Sequence, residues 1–254
     1  MSEPAISFRH VGLSLGGKRI LSDMSFAVAP GEIVCVIGPS GCGKTTALRL
    51  IAGLRRPDSG EVAVEGAPMR EPRRKVAIVF QDYGKALLPW RTVAGNVALA
   101  LEACGIPKAQ HAQRIESLLA RVGLPAHSDK FPAQLSGGQQ QRLQIARCLA
   151  QEPDILLMDE PFGALDAMTR QHLQDEMLGI VASTGATVFF VTHDLEEAIY
   201  LGDRVIGLLP HPGRVGIERA VDLTRPRNQL TTREDPRFLA LRRELFDFIE
   251  SAER

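Results

Sequence analysis

Long hydrophobic runs are missing from this chain of 254 residues. Its longest apolar stretches, such as Ile33 to Ile37 and Ile155 to Met158, are strand-sized and far short of the roughly 20 residues that a bilayer-spanning helix needs. An excess of one charge is also missing. Thirty Lys and Arg balance thirty Asp and Glu, so no global field draws the chain onto nucleic acid or an anionic membrane. Cysteine is scarce: Cys35, Cys42, Cys104 and Cys148 show neither CxxC pairing nor the spacing of a disulfide framework or zinc site, and read as reduced, mostly buried side chains. Met1 to His10 lack a basic start, an apolar core and a small-residue cleavage site, so the expected compartment is the cytoplasm. There is no internal repeat and no low-complexity segment.

What is present is a 44% hydrophobic composition in a length that buries a sizeable core. The first thirty residues alternate short apolar stretches with turn residues, as short antiparallel strands do. Ile33 to Ile37 is a continuous apolar run that ends in glycine and suits a buried parallel strand; Thr45 to Ala52 after it has helical spacing. Glu61 to Val64 and Val76 to Phe80 read as further strands. From Val93 to Leu149 the periodicity is helical, with breaks at Gly105-Ile106-Pro107 and Gly123-Leu124-Pro125. Strands return at Ile155 to Met158, Thr187 to Val191 and Val205 to Leu209, separated by helices over Met168 to Ser183 and Leu195 to Leu201. Asp235-Pro236 starts a last helix whose stripe of Phe238, Leu241, Leu245, Phe248 and Ile249 is expected to pack on its own domain.

Gly38-Pro39-Ser40-Gly41-Cys42-Gly43-Lys44-Thr45 fits GxxxxGK[ST] between a strand and a helix, with Thr46 next on that helix. Glycines let backbone N–H groups turn inward around phosphates, and the helix start adds its positive end. Lys44 supplies a point charge for the β- and γ-phosphates and Thr45 a hydroxyl for Mg²⁺. The strand at Ile155 to Met158 runs into Asp159-Glu160, where a P-loop NTPase places a Mg²⁺-binding aspartate and a carboxylate that faces the attacking water. Cys42, inside the loop, reads as a filler.

Leu135-Ser136-Gly137-Gly138-Gln139 resembles the signature sequence of ATP-binding cassettes, and further matches come in that family's order. The resemblance implies an α/β fold: a P-loop NTPase core with a largely parallel sheet (about 1–92 and 151–210), an N-terminal antiparallel β-subdomain, an inserted helical subdomain (about 93–150) and a tail at 211–254. It implies two cassettes packed head to tail, each ATP lying between one subunit's phosphate loop and the other's Ser136 to Gln139. Gln81 resembles the residue that senses Mg²⁺ and water, Ala164-Leu165-Asp166 the loop that crosses the dimer interface, and His193 the switch histidine near the γ-phosphate. Mg²⁺ would then lie on Thr45, Gln81 and Asp159, with Glu160 as the base. The sequence departs from the pattern at Leu15, where the family carries an aromatic residue that stacks on adenine; leucine covers a base without offering a π-face.

Pro161 to Arg170, Leu87 to Val93 and His211-Pro212-Gly213-Arg214 resemble importer subunits of the nitrate, sulfonate and taurine group. Such a subunit, commonly a homodimer, sits on the cytoplasmic face of the membrane beneath a separate permease, supplied by a solute-binding protein. Tyr83 to Val93 is the expected docking surface, with Trp90 either its anchor or an ordinary buried side chain, and the tail after Pro210 is expected to hold no second regulatory domain. The alternative is a soluble cassette ATPase acting on DNA or ribosomes. It is disfavoured because no sustained heptads separate Thr45 from Leu135 and the chain carries one cassette.

Overall fold

The structure, a computed structural model, describes residues 3–81, 83–163 and 165–253. Of the residues singled out above, Ala164 and the side chain of Tyr83 lie outside the described set. In chain order the elements are β1 (Ile6–Leu15), β2 (Lys18–Val28), β3 (Ile33–Ile37), α1 (Lys44–Ile51), β4 (Ser59–Val64), β5 (Ala67–Pro68), β6 (Val76–Val79), α2 (Tyr83–Ala86), α3 (Val93–Ala103), α4 (His111–Arg121), α5 (Gly137–Leu149), β7 (Ile155–Asp159), α6 (Ala167–Thr184), β8 (Thr187–Val191), α7 (Leu195–Leu201), β9 (Arg204–Leu209), β10 (Arg214–Ala220), α8 (Thr231–Glu234) and α9 (Pro236–Glu253). They form two compact units, Met1–Arg73 with Gly185–Arg254, and Arg74–Thr184. Among the described residues no helix is long and apolar enough to cross a membrane.

In the first unit, β1 and β2 run to ten and eleven residues, longer than the short strands expected. Their hairpin closes on Gly16 and Gly17, both at positive φ, between the paired Leu15 and Lys18. A two-residue turn that matches strand twist demands this geometry at both central positions. β4 pairs antiparallel with the other edge of β1 and with β5. In the second sheet of this unit β3 is wholly buried and pairs in parallel with both β8 and β9, as its unbroken apolar run predicts. Phe26 on β2 stacks on Phe8, with centroids 4.4 Å apart, and lies 6.0 Å from Phe189 on β8, so aromatic side chains join the two sheets.

The tail is more structured than a single helix. β10 pairs antiparallel with β9, and α9 packs on β9 and α7 through the buried Phe238 and Leu245. Gly207, opposite Ile217, and Gly216, at the register shift of β10, both leave room for the ring of Phe248: a β-carbon on Gly207 would stand 2.5 Å from that ring, and one on Gly216 2.8 Å. The apolar stripe of α9 is thus spent inside its own unit, as its spacing predicts.

The second unit is organised around α5. Its buried Leu143, Ile145, Ala146, Cys148 and Leu149 pack it on α2, α3, α4, α6 and β6, while β6 and β7 pair in parallel. The helical stretch from 93 to 149 contains no strand among its described residues. α3 starts on Thr92, whose hydroxyl accepts from Gly95 N–H at 3.1 Å. All four cysteines are buried and free.

Candidate functional site

In the first unit, β3 ends directly in the loop Gly38 to Gly43, and α1 starts at Lys44. Gly38, Gly41 and Gly43 have φ of 151°, 79° and 97°, conformations that side-chain-bearing residues rarely adopt. Lys44 is buried, and its Nζ donates to the carbonyls of Gly38 (2.6 Å) and Pro39 (3.1 Å). The ammonium is thereby folded across the mouth of its own loop. Cys42 is also buried; desolvation raises its thiol above the ordinary value, with Lys44 pulling the other way. Thr45 and Thr46 are half-buried on the first turn of α1.

The loop rests on a seat that the sequence does not announce. Gly213, between β9 and β10, donates to Ile20 O at 2.7 Å and accepts from Ser22 N–H at 2.9 Å. A β-carbon there would stand 3.0 Å from Ile20 O and Leu21 Cδ2 and inside contact distance of the Cys42 carbonyl. Leu21 in turn closes against Gly43, where a β-carbon would stand 2.4 Å from its Cδ2. In the sequence Gly213 belongs only to a stretch that resembles importer subunits; nothing local signals that it touches residue 42.

At the end of β8, Thr192 N–H donates to Val36 O at 3.1 Å, which sets His193 beside the C-terminal end of β3, where the loop begins. His193 is exposed, and Asp194 after it caps α7 by accepting from the N–H groups of Glu196 (2.9 Å) and Glu197 (3.1 Å). Leu15 is half-buried at the tip of the β1–β2 hairpin.

In the second unit, β7 delivers a nearly buried Asp159, and the chain turns at Glu160 with φ 45°. A left-handed conformation at a side-chain-bearing residue costs of order 1–3 kcal/mol and is held only where the surroundings impose it. Here Gln81, just after β6, donates its Nε2 to Glu160 Oε2 at 3.1 Å. The structure thus brings together two of the predicted residues that stand 79 positions apart.

Ser136 to Gln139 form a capping box on α5: Ser136 Oγ accepts from Gln139 N–H (3.3 Å) and Gln139 Oε1 from Ser136 N–H (3.0 Å). Gly138 is required by close packing, since a β-carbon would stand 2.8 Å from Thr169 Cγ2 at the start of α6. Asp166 caps that helix, accepting from Thr169 N–H at 3.0 Å, and this hydrogen bonding holds its carboxyl below the usual range. Further along α5, three side chains fix the backbone that leads into and out of Gln81. Cys148 Sγ donates to Ile78 O (3.2 Å) and Arg147 to Ala86 O (2.6 Å). The buried Gln144 amide, turned so that both its atoms are satisfied, accepts from Phe80 N–H (2.7 Å) and donates to Phe80 O (3.2 Å). Sequence reasoning passes over Arg147 and Gln144, because a polar residue inside a helical pattern looks like surface, and it gives Cys148 as a buried thiol without its acceptor.

The family model described as ABC transporter matches residues 21–163. The chain belongs to this family. The aliphatic sulfonates import ATP-binding protein SsuB 2 of Burkholderia cenocepacia is 46% identical over 97% of this chain and 88% of its own length. The nitrate import ATP-binding protein NrtC of Synechococcus elongatus is 46% identical over 94% of this chain, which spans 37% of that protein. Among solved structures, a dimeric ATP-binding cassette in a post-hydrolysis state with ADP and Pi superposes with a TM-score of 0.73 at 32% identity, covering 85% of this chain and 98% of that one. The α/β fold is that of an ABC cassette.

Proposed function

We propose that this ABC cassette binds and hydrolyses ATP, as one of two copies closing head to tail on the nucleotide, to drive import of a small solute through a separate membrane permease. The observation that carries the reading is the loop after β3: three glycines at positive φ lead its backbone around Lys44 and into the N-terminus of α1, the arrangement a polyphosphate needs.

Gly38 to Thr46 cradle the phosphates and Lys44 moves from its own carbonyls onto phosphate oxygens. Ser136, Gly137, Gly138 and Gln139 offer a second anion site, at the start of α5, to the nucleotide of the opposing copy, whose γ-phosphate they help to enclose; Asp166 lies at that same junction. Glu160 orients the attacking water, held by Gln81, with His193 alongside the γ-phosphate. Fixed donors aimed at the phosphoryl oxygens are the main catalytic contribution expected for this chemistry. The donors available to a divalent cation, the Thr45 hydroxyl, the Gln81 amide oxygen and the Asp159 carboxylate, are all oxygens. No cluster of three His, Cys, Asp or Glu side chains suits a metal among the described residues. One carboxylate with phosphate oxygens is the donor set Mg²⁺ prefers, and Mg²⁺ bound there would neutralise charge on the β- and γ-phosphates.

Leu88 to Thr92 support the permease contact. The fully buried Asn96 donates to the carbonyls of Leu88 (3.1 Å), Arg91 (3.1 Å) and Thr92 (3.0 Å) and accepts from Leu88 N–H (2.9 Å). A loop pinned this firmly carries Trp90 at 72% exposure, so Trp90 is not an ordinary buried side chain and is presented as an anchor for the permease at the cytoplasmic face of the membrane. The relatives import nitrate and aliphatic sulfonates, so the solute class is a small oxyanion or a taurine-like molecule, delivered by a solute-binding protein and selected by the permease. The test is purified Glu160→Gln beside wild type: the wild type turns over ATP, and the variant binds ATP·Mg²⁺, fails to turn over and accumulates as a dimer. Normal turnover by Glu160→Gln would remove Glu160 from the mechanism.

A further inference from the structure

The capping box that shapes Ser136 has an outer partner. Gln139 Oε1 accepts from Ser136 N–H at 3.0 Å, and this fixes which way the amide faces: its Nε2 points at His127 Nε2, 3.2 Å away. Two N–H groups cannot face each other across that distance, so His127 Nε2 is the acceptor and the imidazole carries its proton on Nδ1. Nδ1 is itself buried and without a hydrogen-bond partner. His127 therefore has one polar contact through its ring that the structure uses, and it is spent on Gln139. The ring is held for this by a short 3₁₀ turn, Pro125–His127, packed on α4, with His127 N–H donating to Leu124 O at 3.2 Å and Lys130 N–H donating to His127 O at 3.0 Å.

We propose that His127 is a positioning residue for the signature loop: by accepting from Gln139 it keeps the capping box closed and sets the orientation of the Ser136 hydroxyl and the glycine N–H groups. It touches no nucleotide itself. The inference rests on the reading that Ser136 to Gln139 complete the ATP site of the opposing copy. Without the acceptor, Gln139 is released to other rotamers and Ser136 N–H loses its partner part of the time; one hydrogen bond of this kind corresponds to about a five-fold change in the closed population.

Two variants separate the acceptor from mere bulk. His127→Leu fills space and accepts nothing; His127→Gln places an amide oxygen close to the position of Nε2. Hydrogen exchange of backbone amides in the 135–140 segment is measured first, on the nucleotide-free chain, with the α6 segment as the control for intact folding. His127→Leu is expected to raise exchange at Ser136 about five-fold and His127→Gln to leave it unchanged. The same substitutions are then placed on Glu160→Gln and the ATP-dependent dimer is titrated. Because each dimer contains two such boxes, His127→Leu is expected to weaken dimerisation by about 25-fold while nucleotide binding by the single subunit is unaltered, and His127→Gln to restore it. Unchanged exchange in His127→Leu overturns the proposal, and so does equal damage from both variants, which would make His127 a packing residue. Failure of Glu160→Gln itself to dimerise with ATP would instead count against the head-to-tail reading, and the exchange measurement would still decide the role of His127.

Discussion

Replacing Gly213 by alanine tests whether the nucleotide loop depends on its seat. The substitution adds one methyl group at a residue whose backbone lies outside the left-handed region, so no conformational strain enters and the effect is steric. The methyl carbon would stand 3.0 Å from Ile20 O and from Leu21 Cδ2 and closer still to Cys42 O. Two of these three neighbours are backbone oxygens, which yield less readily than the end of a flexible side chain. Gly213 cannot retreat either, being tied to β2 through Ile20 O (2.7 Å) and Ser22 N–H (2.9 Å). Overpacking of this kind costs about 1–3 kcal/mol. For a chain of this size a cost of about 2 kcal/mol lowers Tm by roughly 4–8 °C. The movement that relieves the clash displaces the carbonyl of Cys42, inside the phosphate loop, so ATP affinity should fall about ten-fold, equivalent to about 1.4 kcal/mol. The assays are calorimetric melting and a nucleotide titration of the isolated subunit. Gly179→Ala is the control: it lies exposed on α6 with nothing near its added methyl, and should gain up to about 1 kcal/mol from helix propensity. Parent-like melting and affinity in Gly213→Ala would refute the seat, and a lower Tm with unchanged affinity would refute its link to the loop.

Four further outcomes are expected. Gln144→Leu strands the N–H and C=O of Phe80 and should cost about 1–3 kcal/mol in urea denaturation; turnover should drop as well, since Gln81 follows directly on the loosened residue. Leu15→Tyr should strengthen ATP binding by the roughly 0.5–1.5 kcal/mol of an aromatic contact, and an unchanged affinity in the same titration would show that Leu15 lies away from the base. Burial pushes the Cys148 thiol up to about 12 and raises Cys35 and Cys42 as well. At pH 8 these thiols stay protonated in the folded chain, so an alkylating reagent followed by mass spectrometry should modify them only after unfolding. The same shift gives a stability slope: between about pH 9 and 12 the folded chain keeps a proton on Cys148 that the unfolded chain releases, so stability falls as pH rises across that window.

Chemistry written in short, contiguous stretches is legible in the order of residues alone. The phosphate loop is an eight-residue pattern flanked by its own strand and helix, so local geometry suffices for it; the signature is legible through its resemblance to the cassette family, and the capping box between Ser136 and Gln139 appears only in the structure. The unbroken apolar runs of β3, β7 and β8 and the stripe of α9 announce burial by period alone. β10 gives no such signal, because Arg214 to Ala220 alternates without ever being fully buried and its polar and apolar residues carry little contrast.

What only the tertiary structure decided are the supports that cross large distances in sequence or hide polar atoms in a core. Gly213 under Cys42, Gln81 on Glu160, Gln144 on the Phe80 backbone, Asn96 inside the Trp90 loop and His127 behind Gln139 follow from which atoms the fold brings within hydrogen-bond or contact range. A sequence states which groups can donate, accept or fit; pairing them needs the chain closed upon itself, because a buried asparagine or a crowded glycine has the same letter as an exposed one.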